Sequence, residues 1–279
     1  MRGRFGALVA GELLKIGRQP ANRPLLLIPL LVVILMALLS SGSRPPESTD
    51  DVALRVLDPL TLGLQVGVGI PLLVLAARAT GQEYQLGTVR VLIARGAGRV
   101  RLLLARLAAI SAVAAAGAVV MGVAGFVVLG LAEPRTVTPL LPPSAELLRD
   151  LGLNAVAVAL SLAACVMLAT FAAALGRSVV FGLGVALVWF PVENLAAVAL
   201  SAFSAVTHQD MYDRLTAYLL STNLNVMVQA VESWRSSEVL LATPAVKVDG
   251  THTIMVAFVY VVAFLAASIL LTWRRDVHQ

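Results

Sequence analysis

Six long apolar segments separated by polar loops constrain the fold of this chain more than any other feature. They lie at residues 24–40, 57–77, 102–131, 151–175, 179–204 and 253–273. An apolar helix of about 20 residues is long enough to cross the roughly 30 Å hydrocarbon core of a bilayer. Hydrophobic residues make up 59% of the chain and charged residues 13%, which differs strongly from a soluble domain. We therefore expect an all-α integral membrane protein with six transmembrane helices.

The first 19 residues have the pattern of an amphipathic helix and not of a span. Phe5, Leu8 and Leu13 fall on one arc of a helical wheel, whereas Lys15 and Arg18 fall on another. This pattern is typical of a helix that lies in the membrane interface, with its basic groups toward anionic head groups. Residues 1–19 are therefore predicted to form an interfacial helix.

The distribution of charge predicts the topology. One side of the predicted bundle holds residues 1–23, the loop 78–106, Arg177 and the C-terminus, and carries 14 Lys and Arg against three acids. The other side carries seven Lys and Arg against 12 acids. By the positive-inside rule the first side is cytoplasmic. We expect a multi-pass protein of the cell membrane with both termini in the cytoplasm, and an extracellular segment at 205–252 with one amphipathic helix near 215–231.

The sequence lacks the motifs of several common nucleotide-binding, metal-binding and catalytic sites. The chain has no G-x4-G-K-[ST] phosphate loop, no H-E-x-x-H and no G-x-S-x-G, so we expect no bound cofactor, no metal and no enzymatic activity in this chain. Its single cysteine, Cys165, excludes an internal disulfide. The net charge of +5 comes from basic residues at span boundaries and does not indicate nucleic-acid binding. Energy for any transport must come from another subunit or from an ion gradient.

The segment at residues 82–99 is patterned like a short amphipathic helix between two spans. Leu86, Val89, Leu92 and Ile93 are spaced by three and four residues and share one face. Gly96 and Gly98 then end the helix. A carboxylate at Glu83, near the predicted helix start, would be favoured by the helix dipole. Such a segment is either a contact for a cytoplasmic partner or an ordinary positive loop.

The arrangement of Glu83, Gly87 and Thr88, followed by Leu92-Ile93 and then by Arg99 after a turn, resembles the cytoplasmic loop after the second span of ABC-2 type transporter permeases. The turn at 95–98 lacks the Pro that is usual in that family. The resemblance implies a coupling helix that docks into a separate ATPase subunit, with the acid at position 83 in a polar network beside the contact. It also implies that residues Glu12, Leu13 and Lys15 pack near that subunit. The contact residues that we expect from it are Glu83, Tyr84, Leu86, Gly87, Thr88, Arg90, Arg95 and Arg99.

The same resemblance implies the partners. Two copies of the separate ATPase subunit would bind ATP and Mg²⁺, and a second permease copy, identical or related, would complete a dimer with the translocation path near its two-fold axis. The chain would then be the membrane subunit of an ATP-driven transporter, most simply an exporter.

One carboxyl group lies within a predicted span. Glu193 is preceded by Phe190 and Pro191 and followed by Asn194. Burial of an unpaired charge in a membrane is costly, so Phe190, Glu193 and Asn194 either line a translocation path or form a polar clamp. Pro191 frees a carbonyl one turn earlier, which Asn194 or water could satisfy. If Glu193 carried protons, the chain would be a stand-alone proton-coupled secondary transporter, which is the alternative function.

Two prolines are candidate hinges. Pro191 lies in the fifth predicted span and Pro71 in the second. Proline in a helix interior removes a backbone donor and bends the helix. Either bend could serve a gate or only helix packing.

Overall fold

In the computed structural model, residues 5–22, 25, 27, 31–32, 34–35, 61, 63–86, 98–132, 145–231 and 242–274 are described. Regular structure in these residues is helical throughout. The α-helices with described bounds are α1 (Phe5–Arg18), α2 (Gly69–Gln85), α3 (Arg99–Ala132), α4 (Ala145–Gly176), α5 (Val179–Thr207), α6 (Asp210–Thr216), α7 (Leu220–Val231) and α8 (Gly250–Arg274). A 3₁₀ turn at Pro20–Asn22 follows α1, and a π-helical turn at Gly63–Val68 precedes α2.

Four helices are long and apolar enough to cross a membrane. These candidate spans are Arg99–Gly125 in α3, Leu151–Gly176 in α4, Val179–Thr207 in α5 and Gly250–Arg274 in α8. They confirm the prediction of an all-helical membrane protein. The predicted span at 24–40 lies mostly outside the described residues. Helix α2 has 17 residues, which is fewer than the roughly 20 of a typical transmembrane helix. The count of six spans therefore stays a prediction.

The second predicted span contains an irregular turn just before its proline. In a regular α-helix the ring of Pro71 would clash with the carbonyl four residues earlier, that of Gly67. Gly67 lies in the π-helical turn, which changes the spacing of the backbone at this position. The helix then continues as α2 to Gln85, beyond the predicted end of the span at residue 77. A hinge at Pro71 stays a prediction.

Helix α4 lies at the centre of the bundle and packs on α2, α5 and α8. Its buried face is rich in alanine, and Ala157, Ala164, Ala169 and Ala173 are fully buried. Small side chains let helix backbones approach closely in a membrane, where packing rather than the hydrophobic effect holds helices together. A Cβ atom on Gly182 of α5 would lie 2.7 Å from the Cβ of Ala173, so α4 and α5 touch along a glycine–alanine contact.

The segment after α5 forms two short helices where one had been predicted near 215–231. Helix α6 ends at Thr216, and α7 begins at Leu220. Side chains tie this segment to the long helices: the Ser204 hydroxyl of α5 donates to Asp213 of α6 at 2.7 Å, and the Tyr260 hydroxyl of α8 donates to the carbonyl of Tyr218, in the turn between α6 and α7, at 3.2 Å. This segment is therefore packed on α5 and α8.

Candidate functional site

Four charged side chains from three helices meet at one end of the bundle, and we call this group the ion cluster. Lys15 Nζ of α1 lies 2.8 Å from Glu83 Oε1 of α2 and 3.7 Å from Glu12 Oε2 of its own helix. The Arg106 guanidinium of α3 donates to Glu83 Oε2, and Arg106 Nε lies 3.9 Å from Glu12 Oε2. The cluster therefore joins α1, the end of α2 and the start of α3.

Helical spacing brings these side chains to their positions. Glu12 and Lys15 are three residues apart and share a face of α1 with Ile16, which is buried. Arg106 is one of three basic residues in the first two turns of α3, after Arg99 and Arg101. Residues 99 and 106 are two turns apart and so lie on one face of α3. The apolar neighbours of Arg106 hold that face against the bundle, since Ala105 and Leu107 are both buried.

Glu83 lies in the last turn of α2, and the expectation that it marks a helix start is wrong. Helix α2 runs from Gly69 to Gln85 without interruption. The C-terminal end of a helix carries a partial negative charge, so the dipole disfavours a carboxylate there by about 0.3–1 kcal/mol. Lys15 and Arg106 compensate for this, since each places a cation against one of the two Glu83 oxygens.

Three members of the cluster are buried. The exposed fraction is 6% for Glu12, 3% for Glu83 and 4% for Arg106, whereas the Lys15 side chain is 34% exposed. Two acids face two bases, so the charges of the cluster balance. Glu12 Oε2 and Arg106 Nε have no hydrogen-bond partner among the described side chains. A buried ion pair that loses one partner leaves an uncompensated charge, so each member depends on the others.

A groove of about 460 Å³ opens beside the cluster. Its walls come from α1, with Leu8 and Gly11, and from the facing ends of α2 and α3, with Gln82 and Leu102. Glu12, Lys15 and Glu83 of the ion cluster also line it. Leu86, at the mouth, has 74% of its surface exposed. The groove thus offers a partner an exposed apolar side chain next to buried charges.

The predicted contact residues fall only in part within the described chain. Glu83, Tyr84 and Leu86 lie at the end of α2, and Arg99 begins α3. Gly87, Thr88, Arg90 and Arg95 lie outside the described residues. The structure brings Glu83 and Leu86 to the same groove, and the contact of these residues with an ATPase stays a prediction.

The end of α2 is also fixed to the turn between α4 and α5. A Cβ atom on Gly81 would lie 2.5 Å from the backbone nitrogen of Val179, so only glycine fits at this contact. Gln85 Nε2 donates to the Ser178 hydroxyl at 3.3 Å. Arg177 adopts a positive φ of 50° in this turn, a backbone conformation uncommon outside glycine. A displacement of the end of α2 would therefore press directly on the start of α5.

Glu193 lies in a different environment. Its side chain is buried in α5, and Oε2 accepts a hydrogen bond of 2.7 Å from the backbone N–H of Ser221. Ser221 is the second residue of α7, where backbone N–H groups have no partner inside their own helix and the dipole favours an anion. Glu193 therefore caps the start of α7 from the side.

The neighbours of Glu193 continue this link between helices. Asn194 Nδ2 donates to the Phe190 carbonyl at 2.8 Å, and Asn194 Oδ1 accepts from Asn225 of α7 at 3.0 Å. Pro191 lies inside α5 and frees the carbonyl of Leu187, four residues earlier. Asn194 satisfies a different carbonyl from the one that the proline frees. A translocation path along Phe190, Glu193 and Asn194 and a hinge at Pro191 stay predictions.

Sequence reasoning missed that Lys15 and Arg106 are partners of Glu83. The weak signal for Arg106 was its place in an apolar run, in the sequence Leu102 to Ala109, where it is the one charged residue. A charge at such a position requires a partner. Asn225, which bonds Asn194 and the Ala242 carbonyl, carried no signal that distinguished it from an exposed polar residue.

No protein-family model matches the sequence, and no curated protein matches it. Any assignment of function therefore depends on the residues and geometry above, together with the resemblance of the segment after α2.

Proposed function

We propose that this chain is the membrane-spanning permease subunit of an ATP-driven transporter of the ABC-2 type, working as an exporter. The observation that carries the proposal is the ion cluster. It ties the amphipathic helix α1 to both helices that border residues 87–97, the segment expected to dock on the ATPase. A buried and charge-balanced link at this place suits three helices, α1, α2 and α3, that must move together when the ATPase subunit moves.

The surface beside the cluster suits a cytoplasmic partner. Leu86 is exposed at the mouth of the groove. The positive-inside rule favours the cytoplasmic side of the cell membrane for this end of the bundle. In this proposal two ATPase subunits, which hold ATP and Mg²⁺, dock on two copies of the permease. This chain itself binds no nucleotide, and its lipid-facing helices anchor the assembly in the bilayer.

The packing of α2 supports a mechanical route from the docking segment to the spans. The ATPase subunits approach each other when they bind nucleotide and carry residues 82–95 inward. Gly81 and Gln85 contact the start of α5, so α2 and α5 shift together. Because the ion cluster holds α1 and α3 to the same point, the interfacial helix and the third span follow. The path between the two permease copies then opens outward.

The alternative, a proton-coupled transporter that uses Glu193, gains no support from the geometry. The Glu193 carboxylate is engaged by the Ser221 backbone N–H, which gives it a structural partner. A proton carrier would need an acceptor along a path, and the hydrogen-bond partner of Glu193 in the described part of the chain is a backbone N–H, which takes up no proton.

Copurification tests the proposal. The full chain is extracted from its native membrane, and the proteins that accompany it are identified by mass. We expect a subunit with a phosphate loop at a one-to-one ratio, and we expect Leu86→Asp to abolish its recovery. Leu215→Asp, at an exposed position of α6 on the opposite side, is the matched control and keeps the subunit. A chain that is purified alone and still moves solute after reconstitution would overturn the proposal.

A further inference from the structure

A second cavity, of about 430 Å³, lies between α3, α4 and the residues before α2. It is separate from the ion cluster and from Glu193. Alanine is the commonest residue of its walls on α3 and α4, at Ala114, Ala115, Ala118, Ala155, Ala159 and Ala163. Ala115, Ala155 and Ala159 are exposed, so the cavity opens to the outside of the bundle. Its volume falls in the range of about 300–1,000 Å³ that holds small ligands.

The cavity is long and lies within membrane-spanning helices. On α4 its lining extends from Leu151 to Met167, which corresponds to about 24 Å at 1.5 Å per residue. Both α3 and α4 are candidate spans, and the hydrocarbon core of a bilayer is about 30 Å thick. The opening therefore faces lipid chains and not water.

The polarity of the cavity changes along its length. At one end Asn154 Nδ2 donates to the Thr61 hydroxyl at 2.8 Å, and both residues are buried. More than two turns further along α4 the lining is Leu162, Val166 and Met167, and Ser111 of α3 is the other polar residue among the described residues that line the cavity. Thr61 precedes Glu83 of the ion cluster by 22 residues, or roughly 30 Å of helix. The polar end is thus near the opposite membrane surface from the cluster.

We propose that this cavity binds one acyl chain of a membrane lipid, with the polar linkage of the lipid at Asn154 and Thr61. The lining is apolar for most of its length, and an apolar cavity of this kind does not retain water. Acyl chains are the apolar molecules that surround the opening. The Thr61 hydroxyl accepts from Asn154, and a hydroxyl that accepts can also donate its own hydrogen, which suits an ester carbonyl at the polar end. The proposal is independent of the transport function and goes beyond it.

Photolabelling with two phospholipids tests the site and the orientation together. The full chain is placed in phosphatidylcholine nanodiscs that contain a lipid with a photoreactive diazirine either near the ester or at the chain terminus. Labelled residues are located by peptide mass spectrometry. We expect the ester-proximal probe to label the Leu151–Asn154 end and the terminal probe to label the Met167 end. Equal labelling of every exposed apolar face, or the reverse order of the two probes, would overturn the proposal.

Cavity-filling variants provide the second readout. Ala163→Phe on α4 is expected to lose the cavity labels, and Ala118→Phe tests the same space from the facing wall of α3 if the first variant folds poorly. Ala199→Phe, at an exposed position of α5, is the matched control and keeps them. A third arm uses a photoreactive aromatic hydrocarbon without a head group. Cavity labelling by that probe and not by lipid would contradict the lipid assignment, as would cavity labels that survive both filling variants.

Discussion

Two buried carboxylates of this protein are stabilised by opposite means. Glu83 lies at the negative end of α2 and is compensated by charged side chains from α1 and α3, Lys15 and Arg106. Glu193 lies against the positive end of α7 and is compensated by a backbone N–H. The first site is a junction of three helices that depends on balanced side-chain charges. The second is a cap that joins two helices through the backbone.

The difference indicates where each site is sensitive. Removal of a buried charge of the ion cluster, such as that of Arg106, leaves a buried ion without that partner, which is among the costliest single changes in a protein. Charge removal at Glu193 can leave the hydrogen bond in place, because a neutral amide oxygen also accepts from a backbone N–H. Under the proposed function, a junction of charged side chains suits the place where an ATPase subunit would push on the helices. A helix cap suits a place where two helices only need to stay packed.

Arg106→Leu is expected to have the largest effect. It removes the buried cation that faces Glu12 and Glu83, and loss of a partner from a buried pair costs about 3–5 kcal/mol. Thermal unfolding of the purified chain in detergent measures the change. Arg149→Leu, at an exposed position of α4, is the control and should change stability by less than about 0.5 kcal/mol. Equal effects of the two substitutions would show that the cluster contributes no special stability.

Gly81→Ala is expected to come next. The added methyl group would lie 2.5 Å from the Val179 nitrogen, and forced overpacking typically costs about 1–3 kcal/mol. Gly184→Ala on α5 has nothing within 4 Å of the new atom and should gain up to about 1 kcal/mol from helix propensity. The same unfolding measurement compares them. If Gly81→Ala were also stabilising, the end of α2 would not be fixed to the α4–α5 turn.

Glu193→Gln is expected to have a smaller effect, of about 1 kcal/mol, because a hydrogen bond to a charged group is replaced by a neutral one. Glu193→Leu should cost more, since it leaves the Ser221 N–H without its acceptor. Stability and transport are measured in parallel on both variants. Unchanged stability with lost transport in Glu193→Gln would assign Glu193 to the path and not to the cap.

Lys15→Met is expected to have the smallest effect. The Lys15 side chain is one third exposed, and exposed ion pairs contribute at most about 1 kcal/mol. Its ion pair with Glu83 is weakened by salt. The difference in unfolding free energy between Lys15→Met and the unmodified chain should therefore shrink when unfolding is measured at higher salt concentrations. A loss as large as that of Arg106→Leu would mean that the two cations share the charge of Glu83 equally.

Sequence patterns were sufficient for the long helices and insufficient for the contacts between them. Apolar length alone located α3, α4, α5 and α8, because a lipid-spanning backbone must be helical. A helix start was predicted near Glu83 because Arg78 and the polar residues after it mark the membrane boundary, whereas α2 continues through Glu83 to Gln85. Lys15 and Glu83 are 68 residues apart, and no periodicity connects positions on different helices. The hydrogen bond by which Glu193 caps α7 could not be predicted for the same reason, since it also joins two different helices.

Site-specific photocrosslinking at the groove beside the ion cluster tests directly whether an ATPase subunit docks there. Benzoylphenylalanine is placed at position 86, which is exposed at the mouth of the groove, and in a second preparation at position 215 on the opposite side. After irradiation of native membranes, we expect an adduct of this chain with an ATPase subunit from position 86 and none from position 215. An adduct from position 215 alone, or no adduct from position 86 while the ATPase still copurifies, would contradict it.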